Sequence, residues 1–293
     1  MSERERITLL SDQLERIWSD LDELLNGLDA AGWQRKHGPD WIFADLPYHL
    51  AYFDRYNARY LEAGSELPQE EQLVLDSFSA MAAWNDGQFA LRPPGQTAQE
   101  SLAEMHMARD RLRALMAGMT DADLSRPAWV SLTFFRGWRT AESVILVCLM
   151  HTWNEFMQLR IHMGREKPIP DPAITHMALG GFLVGMHALM DKEAAARQPL
   201  IIQYRINGPG GGRWTASLSG AGAVVEEVST VEADLIFEQS VESFMKTFNG
   251  MHDPGQAIKS GEIKVQGTEY LPAYAALLPP PDPYTPFEAL PGG

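Results

Sequence analysis

The chain has 293 residues, 45% of them hydrophobic, a net charge of -15 and a pI near 4.9. So acidic a balance argues against a nucleic-acid backbone or an anionic membrane as principal partner, since both select basic surfaces. A single cysteine, Cys148, excludes an intrachain disulfide framework. With no signal-peptide core in MSERERITLL and no run of about 18 apolar residues, a cytoplasmic protein of about two domains is expected.

From Glu3 to Leu28, apolar residues that include Ile7, Leu10, Leu14, Ile17 and Leu21 recur at three- and four-residue steps, predicting an amphipathic helix. After a loop holding Gly38 and Pro39, WIFADLPYHLAYFDRYNARYLEAG predicts a second helix stopped at Gly64. Pro47 is tolerated only in a first turn, so the regular helix is placed from about Asp45, read as its N-cap. His49 then shares a stripe with Tyr52, Phe53 and Tyr56. Residues 65–96 read as a long irregular connection whose Phe78 and Trp84 pack on the bundle. Thr97 and Glu100 make the capping box of a third helix running to Met119, and TDADLSRPAWVSLTFFRGW leads into a fourth.

That fourth helix, predicted over Arg139 to Arg165, is apolar at Val144, Val147, Cys148 and Leu159. His151 and Glu155 interrupt its apolar body four residues apart, so their side chains share one face. An imidazole nitrogen and a carboxylate oxygen at that spacing can converge on one divalent cation at about 2.0 to 2.2 Å each. Alone, such a pair is more often a hydrogen-bonded couple. A third ligand changes the balance, and metal sites in bundles draw on facing helices. If the second and fourth helices are neighbours, His49, the only histidine on the second, completes a three-ligand set with an open position, the arrangement of catalytic metal sites. His162 lies eleven residues beyond His151, roughly 16 Å along the axis, and is too far. His106 on the third helix remains a ligand candidate but reads better as an ordinary, partly exposed histidine, and Cys148, three residues before His151, could face the metal but reads better as a buried small hydrophobe.

The segment PIPDP, Pro168 to Pro172, reads as a linker. An apolar helix from Ala173 to Glu193 follows, then the strands PLIIQYRIN, RWTASLSG, AVVEEVS and ADLIFEQ, a short helix from Ser240, a closing strand EIKVQG and a last helix from Thr268 to Leu278. The glycines Gly208 to Gly212 precede a strand with no Lys-Ser/Thr pair, so they read as a hairpin turn rather than a phosphate loop.

WIFADLPYHLAYF, with His49, and HTWNEFMQLRIHMGR, with His151 and Glu155, resemble the DinB-like superfamily, and within it the branch of the mycothiol-dependent maleylpyruvate isomerases. The resemblance implies a four-helix bundle holding a divalent metal, zinc or nickel, through His49, His151 and Glu155. The sequence departs from the family in giving His before Glu on the last helix, in Ile42 where a Ser or Thr cap is usual, and in Pro47 where an apolar residue is usual. Residues 233–267, ADLIFEQSVESFMKTFNGMHDPGQAIKSGEIKVQG, resemble the sterol-carrier-protein-like domain.

The two resemblances imply an α+β chain: a DinB-like four-helix bundle over 1–167, a sterol-carrier-protein-like α/β sandwich domain over 173–278 and a Pro-rich tail over 279–293. They imply a metal-dependent isomerase or transferase that uses a low-molecular-weight thiol such as mycothiol on a small electrophilic substrate. Arg205 and Arg213 are carboxylate-binding candidates by residue type only. The alternatives are a non-catalytic protein binding a lipid or other apolar ligand in its C-terminal domain, and a metal-bound regulatory module. The expected partners are thus a small-molecule substrate or an apolar ligand, with no nucleic acid, no membrane, and room for an oligomer.

Overall fold

The structure, a computed structural model, describes residues 5–37, 41–75, 78–132, 137–164, 171–188 and 190–277. The expected Pro-rich tail and most of the expected linker fall outside those residues. The chain divides into two units, Met1–Gly164 and Arg165–Gly293.

The first unit is a bundle of four long helices. In α1 (Glu5–Asn26) the expected stripe is buried, with Leu10, Ile17, Leu21, Leu24 and Leu25 excluded from solvent. Its free first-turn donors are answered from far along the chain, the Asp121 carboxylate accepting from the N–H of Arg6 at 3.1 Å and of Ile7 at 2.8 Å. The short α2 (Ala30–Trp33) is capped by Asp29. After a 3-10 turn, Phe43–Asp45, α3 (Leu46–Ala63) begins with Pro47 in its first turn, as expected. Asp45 stands at the N-cap position but does not cap the helix. Its side chain accepts instead from the N–H of Ile42 at 3.0 Å and from Arg92 at 2.6 Å.

The expected irregular connection contains a 13-residue helix, α4 (Phe78–Ala90), which presents Ala82 and Asn85 inward. Tertiary contact selects that helix, since its sequence carries no sustained apolar stripe. The Thr97–Glu100 capping box opens α5 (Ala98–Ala117), both of its reciprocal hydrogen bonds being formed. Beyond α6 (Asp121–Leu124) the chain forms a hairpin that the sequence reading did not anticipate, β1 (Pro127–Val130) antiparallel to β2 (Gly137–Thr140), with Trp129 opposite Trp138. Thr140 ends β2 and caps α7 (Ala141–His162), so the fourth helix starts two residues later than expected. Within the unit, α3 lies against α5 and α7, and α1 lies against α7.

The second unit opens with α8 (Pro172–Ala188) and α9 (Lys192–Arg197), where one helix to Glu193 was expected. The chain breaks there because the Asp191 side chain accepts from the N–H groups of Glu193 and Ala194 at 2.9 Å each and starts a new helix. Five strands follow in the order β5-β4-β3-β6-β7: β3 (Leu200–Asn207), β4 (Gly212–Ser219), β5 (Gly222–Glu227), β6 (Leu235–Ser240) and β7 (Lys264–Gln266). Only the β3–β6 pair is parallel. The glycine-rich segment is the β3–β4 turn, as expected. Gly210 has φ +73°, and a Cβ there would meet the Pro172 carbonyl at 2.5 Å. Helices α10 (Val241–Phe248) and α11 (Pro254–Ser260) connect β6 to β7, and α12 (Leu271–Leu277) closes the unit after a 3-10 turn, Thr268–Tyr270. Gly267 at the end of β7 has φ +75°, and a Cβ would stand 1.9 Å from the Asp234 carbonyl, so no other residue fits. The architecture is α+β, a helical unit followed by a sheet-containing one.

Candidate metal centre

Three residues far apart in sequence meet in the bundle. His49 comes from the first turns of α3, while His151 and Glu155 come from consecutive turns of α7, whose buried residues are mostly apolar. Their ligand atoms all lie within 4.8 Å of one another. His49 Nε2 is 2.9 Å from His151 Nε2, and His151 Nε2 is 3.7 Å from Glu155 Oε1. Ligands at 2.0 to 2.2 Å around a tetrahedral ion stand about 3.3 to 3.6 Å apart, so the two measured edges bracket the spacing that zinc requires.

The surroundings prepare each donor. Tyr52 gives its hydroxyl proton to Asn85 Oδ1 at 2.9 Å and takes the His49 Nδ1–H at 2.6 Å. That chain fixes the tautomer of His49 and leaves its Nε2 lone pair bare, as a metal ligand needs. Burial, with His151 adding to it, pushes the His49 pKa down to about 3. His151 is lowered as well, mainly by burial. For Glu155, burial pushes upward, but the hydrogen bond from His37, with His151 and His49 behind it, holds the carboxyl at about 2. At neutral pH the set is two neutral imidazoles and one carboxylate, the protonation states in which these groups bind metal. In the absence of an ion a proton on His151 Nε2 satisfies the His49 contact, and His151 Nδ1 is buried with no partner among the described residues in either tautomer.

Aromatic rings wall the cluster. Phe53 stacks at 3.9 Å from the His151 ring, and Trp41 stands 4.8 Å from His49 and 4.7 Å from Phe89. Such walls exclude water and strengthen electrostatic interactions within. The His151 side chain, 13% exposed, is the most accessible of the three.

The other sequence candidates lie elsewhere. His106 sits half-exposed on α5 beside Asp22, 3.2 Å away. His162, at the far end of α7, packs its ring on Phe43 at 5.4 Å, and burial lowers its pKa to about 4. Cys148 is buried, and desolvation raises its thiol pKa well above the ordinary value. In the second unit, Arg205 donates to Gln203 Oε1 at 2.6 Å and Arg213 is exposed on β4. The sequence reading missed Tyr52 as a partner of His49, as well as Asn85 and His37. His37 lies in the loop after α2 with its Nε2 2.8 Å from Glu155 Oε2. Tyr52 was legible in principle, one helical turn from His49. No spacing rule points to His37, because a loop brings it in.

Residues 13–158 match the DinB superfamily and residues 188–279 match the SCP-2 sterol transfer family. Among solved structures, the crystal structure of the mycothiol-dependent maleylpyruvate isomerase is similar with a TM-score of 0.52, covering 82% of this chain and 89% of that one at 12% identity, a likeness of fold. Two proteins named hydroxysteroid dehydrogenase-like protein 2, from Bos taurus and Pongo abelii, are 30% identical over 107 and 104 residues, 36% and 35% of this chain. The match spans 25% of the length of each of those relatives.

Proposed function

For a chain that carries a DinB superfamily domain ahead of an SCP2 domain, we propose a metal-dependent isomerase or transferase that uses a low-molecular-weight thiol on a small electrophilic substrate. The observation that carries this reading is the convergence of His49 Nε2, His151 Nε2 and Glu155 Oε1 within bonding reach of one ion. Zinc or nickel suits two imidazoles and a carboxylate. A divalent ion with an open position supplies Lewis acidity and lowers the pKa of a group bound there.

The protein's own residues do the rest. Tyr52 and Asn85 hold His49 in the ligating tautomer, and Trp41, Phe53 and Phe89 keep the surroundings dry. The sulfur nucleophile comes from outside the chain. Its single cysteine is buried with a raised thiol pKa, and the thiolate is the reactive form. Mycothiol, named for the structural neighbour, is the first thiol to test.

Elemental analysis of protein purified without a metal-affinity column tests the reading. We expect about one zinc or nickel per chain in the wild type, lost in His49→Ala, His151→Ala and Glu155→Ala with helicity retained. Wild-type protein that stays metal-free after dialysis against divalent ions would overturn it. A second reading, favoured by the SCP2 match over residues 188–279, is a non-catalytic carrier of a lipid or other apolar ligand. Lipid extracted from the native chain in the absence of metal would support it.

A further inference from the structure

We propose that His37 is a positioning residue that makes Glu155 a one-oxygen ligand and so keeps a coordination position free for substrate or thiol. The inference rests on the metal reading above and deepens it.

The backbone around His37 is tied on both sides. Its N–H donates to the Trp41 carbonyl at 2.9 Å, Lys36 and Ile42 form an antiparallel bridge, and Phe43 N–H donates to the Arg35 carbonyl at 3.0 Å. The ring is wedged 5.0 Å from Phe43 and 6.4 Å from His162, and its side chain is 3% exposed. A loop residue is thereby held as firmly as a core residue.

The hydrogen bonds assign its proton. Nε2 faces Glu155 Oε2 at 2.8 Å, while Nδ1 is buried with no partner among the described residues. A proton on Nδ1 would be buried and unanswered, and would leave two lone pairs opposed at Nε2; a proton on Nε2 avoids both costs. His37 therefore donates to Oε2 and occupies that oxygen. His37 is not one of the three groups whose ligand atoms cluster within 4.8 Å, so it supports a ligand rather than joining the set.

The consequence falls on Oε1. That oxygen takes one long hydrogen bond from Asn154 Nδ2, at 3.3 Å, and keeps a lone pair on the side of His151. With Oε2 held by His37, the carboxylate can offer an ion one oxygen. Without His37, Oε2 would be a buried acceptor with nothing to accept from, and turning both oxygens onto the ion would satisfy it. The ion would then gain a ligand and lose its open position.

The test is cobalt(II) substitution in the full chain, because cobalt(II) absorbs visible light strongly when four-coordinate and weakly when five- or six-coordinate. Wild type and His37→Gln, whose amide nitrogen reaches the place of Nε2, should give the strong band. His37→Phe and His37→Asn, whose amide reaches only the place of Nδ1, should give the weak one and bind metal roughly 10- to 100-fold less tightly. A band of wild-type strength in both His37→Phe and His37→Asn would overturn the proposal while leaving the metal site standing. If His37→Phe fails to fold, the Gln and Asn pair still decides. Wild-type protein that takes up no cobalt would instead remove the metal reading on which the proposal rests.

Discussion

Each unit of the protein buries a polar cluster containing histidine and tyrosine, and the two are wired differently. In the second unit Tyr274 and Tyr204 hydroxyls meet at 3.0 Å, Tyr204 meets His187 Nε2 at 3.0 Å, and His187 Nδ1 meets the Leu183 carbonyl at 2.8 Å. Read as donors, the chain runs one way from Tyr274 to Tyr204 to His187 to the backbone, and each histidine nitrogen is answered. In the first unit the Tyr52 and His37 hydrogen bonds lie on the outside of the cluster, and the inner atoms of His49, His151 and Glu155 face one another. Burial is common to both. What separates a prospective binding site from a polar core is whether acceptors converge on a point or are consumed in a line.

Acid should break the comparison most strongly. In metal-free protein an unfolded histidine titrates near 6.5, while His49 in the fold takes its proton only near 3. The unfolded state therefore binds more protons in that window, and stability present above pH 6.5 is lost as pH falls toward 3, by up to about 5 kcal/mol. Tryptophan fluorescence reads this unit selectively, since seven of the eight tryptophans precede Gly164. Urea melts of His49→Asn should show a flatter dependence over the same range. His187 is lowered by burial too and contributes with the same sign, but its removal should leave the His49 increment in place.

Metal gives the next largest effect. Zinc at a hundred times its dissociation constant should add about 2.7 kcal/mol to unfolding stability. His151→Ala should show no such gain, whereas Tyr204→Phe should show all of it. An equal zinc effect in His151→Ala would mean that the converging atoms are not where the ion binds.

The smallest change sharpens the other side. Tyr204→Phe removes the hydroxyl shared by His187 and Tyr274 and strands both, which should cost about 1 to 3 kcal/mol in chemical denaturation. Metal content should not move.

The contrast also explains what could be read from sequence. His151 and Glu155 were legible because helical spacing puts residues four apart on one face, and His49 because it is the only histidine on its helix. The SCP2-type strands were legible from alternation and turn residues. His37 was not, because its approach depends on a loop closed by the bridge between Lys36 and Ile42, and no local pattern encodes such a bridge. Helix α4 escaped because its sequence has no apolar stripe, its Asn85 being turned inward toward Tyr52. The β1–β2 hairpin escaped because strands of four residues are too short for a period to register.

The closing contact of α1 sets an order of events during synthesis. Its first turn is completed by Asp121, its Arg6 pairs with Glu142 at 2.7 Å, and its apolar face is covered by α7. At about 5 to 20 residues per second, a ribosome needs roughly 7 to 27 seconds to travel from Arg6 to Glu142. Throughout that interval α1 can pack on α5, through Arg109 with Asp22 and Arg113 with Glu15, but the part of its apolar stripe that α7 covers waits. Neither the covered face of α1 nor His49 can therefore find its final neighbours until α7 has left the exit tunnel.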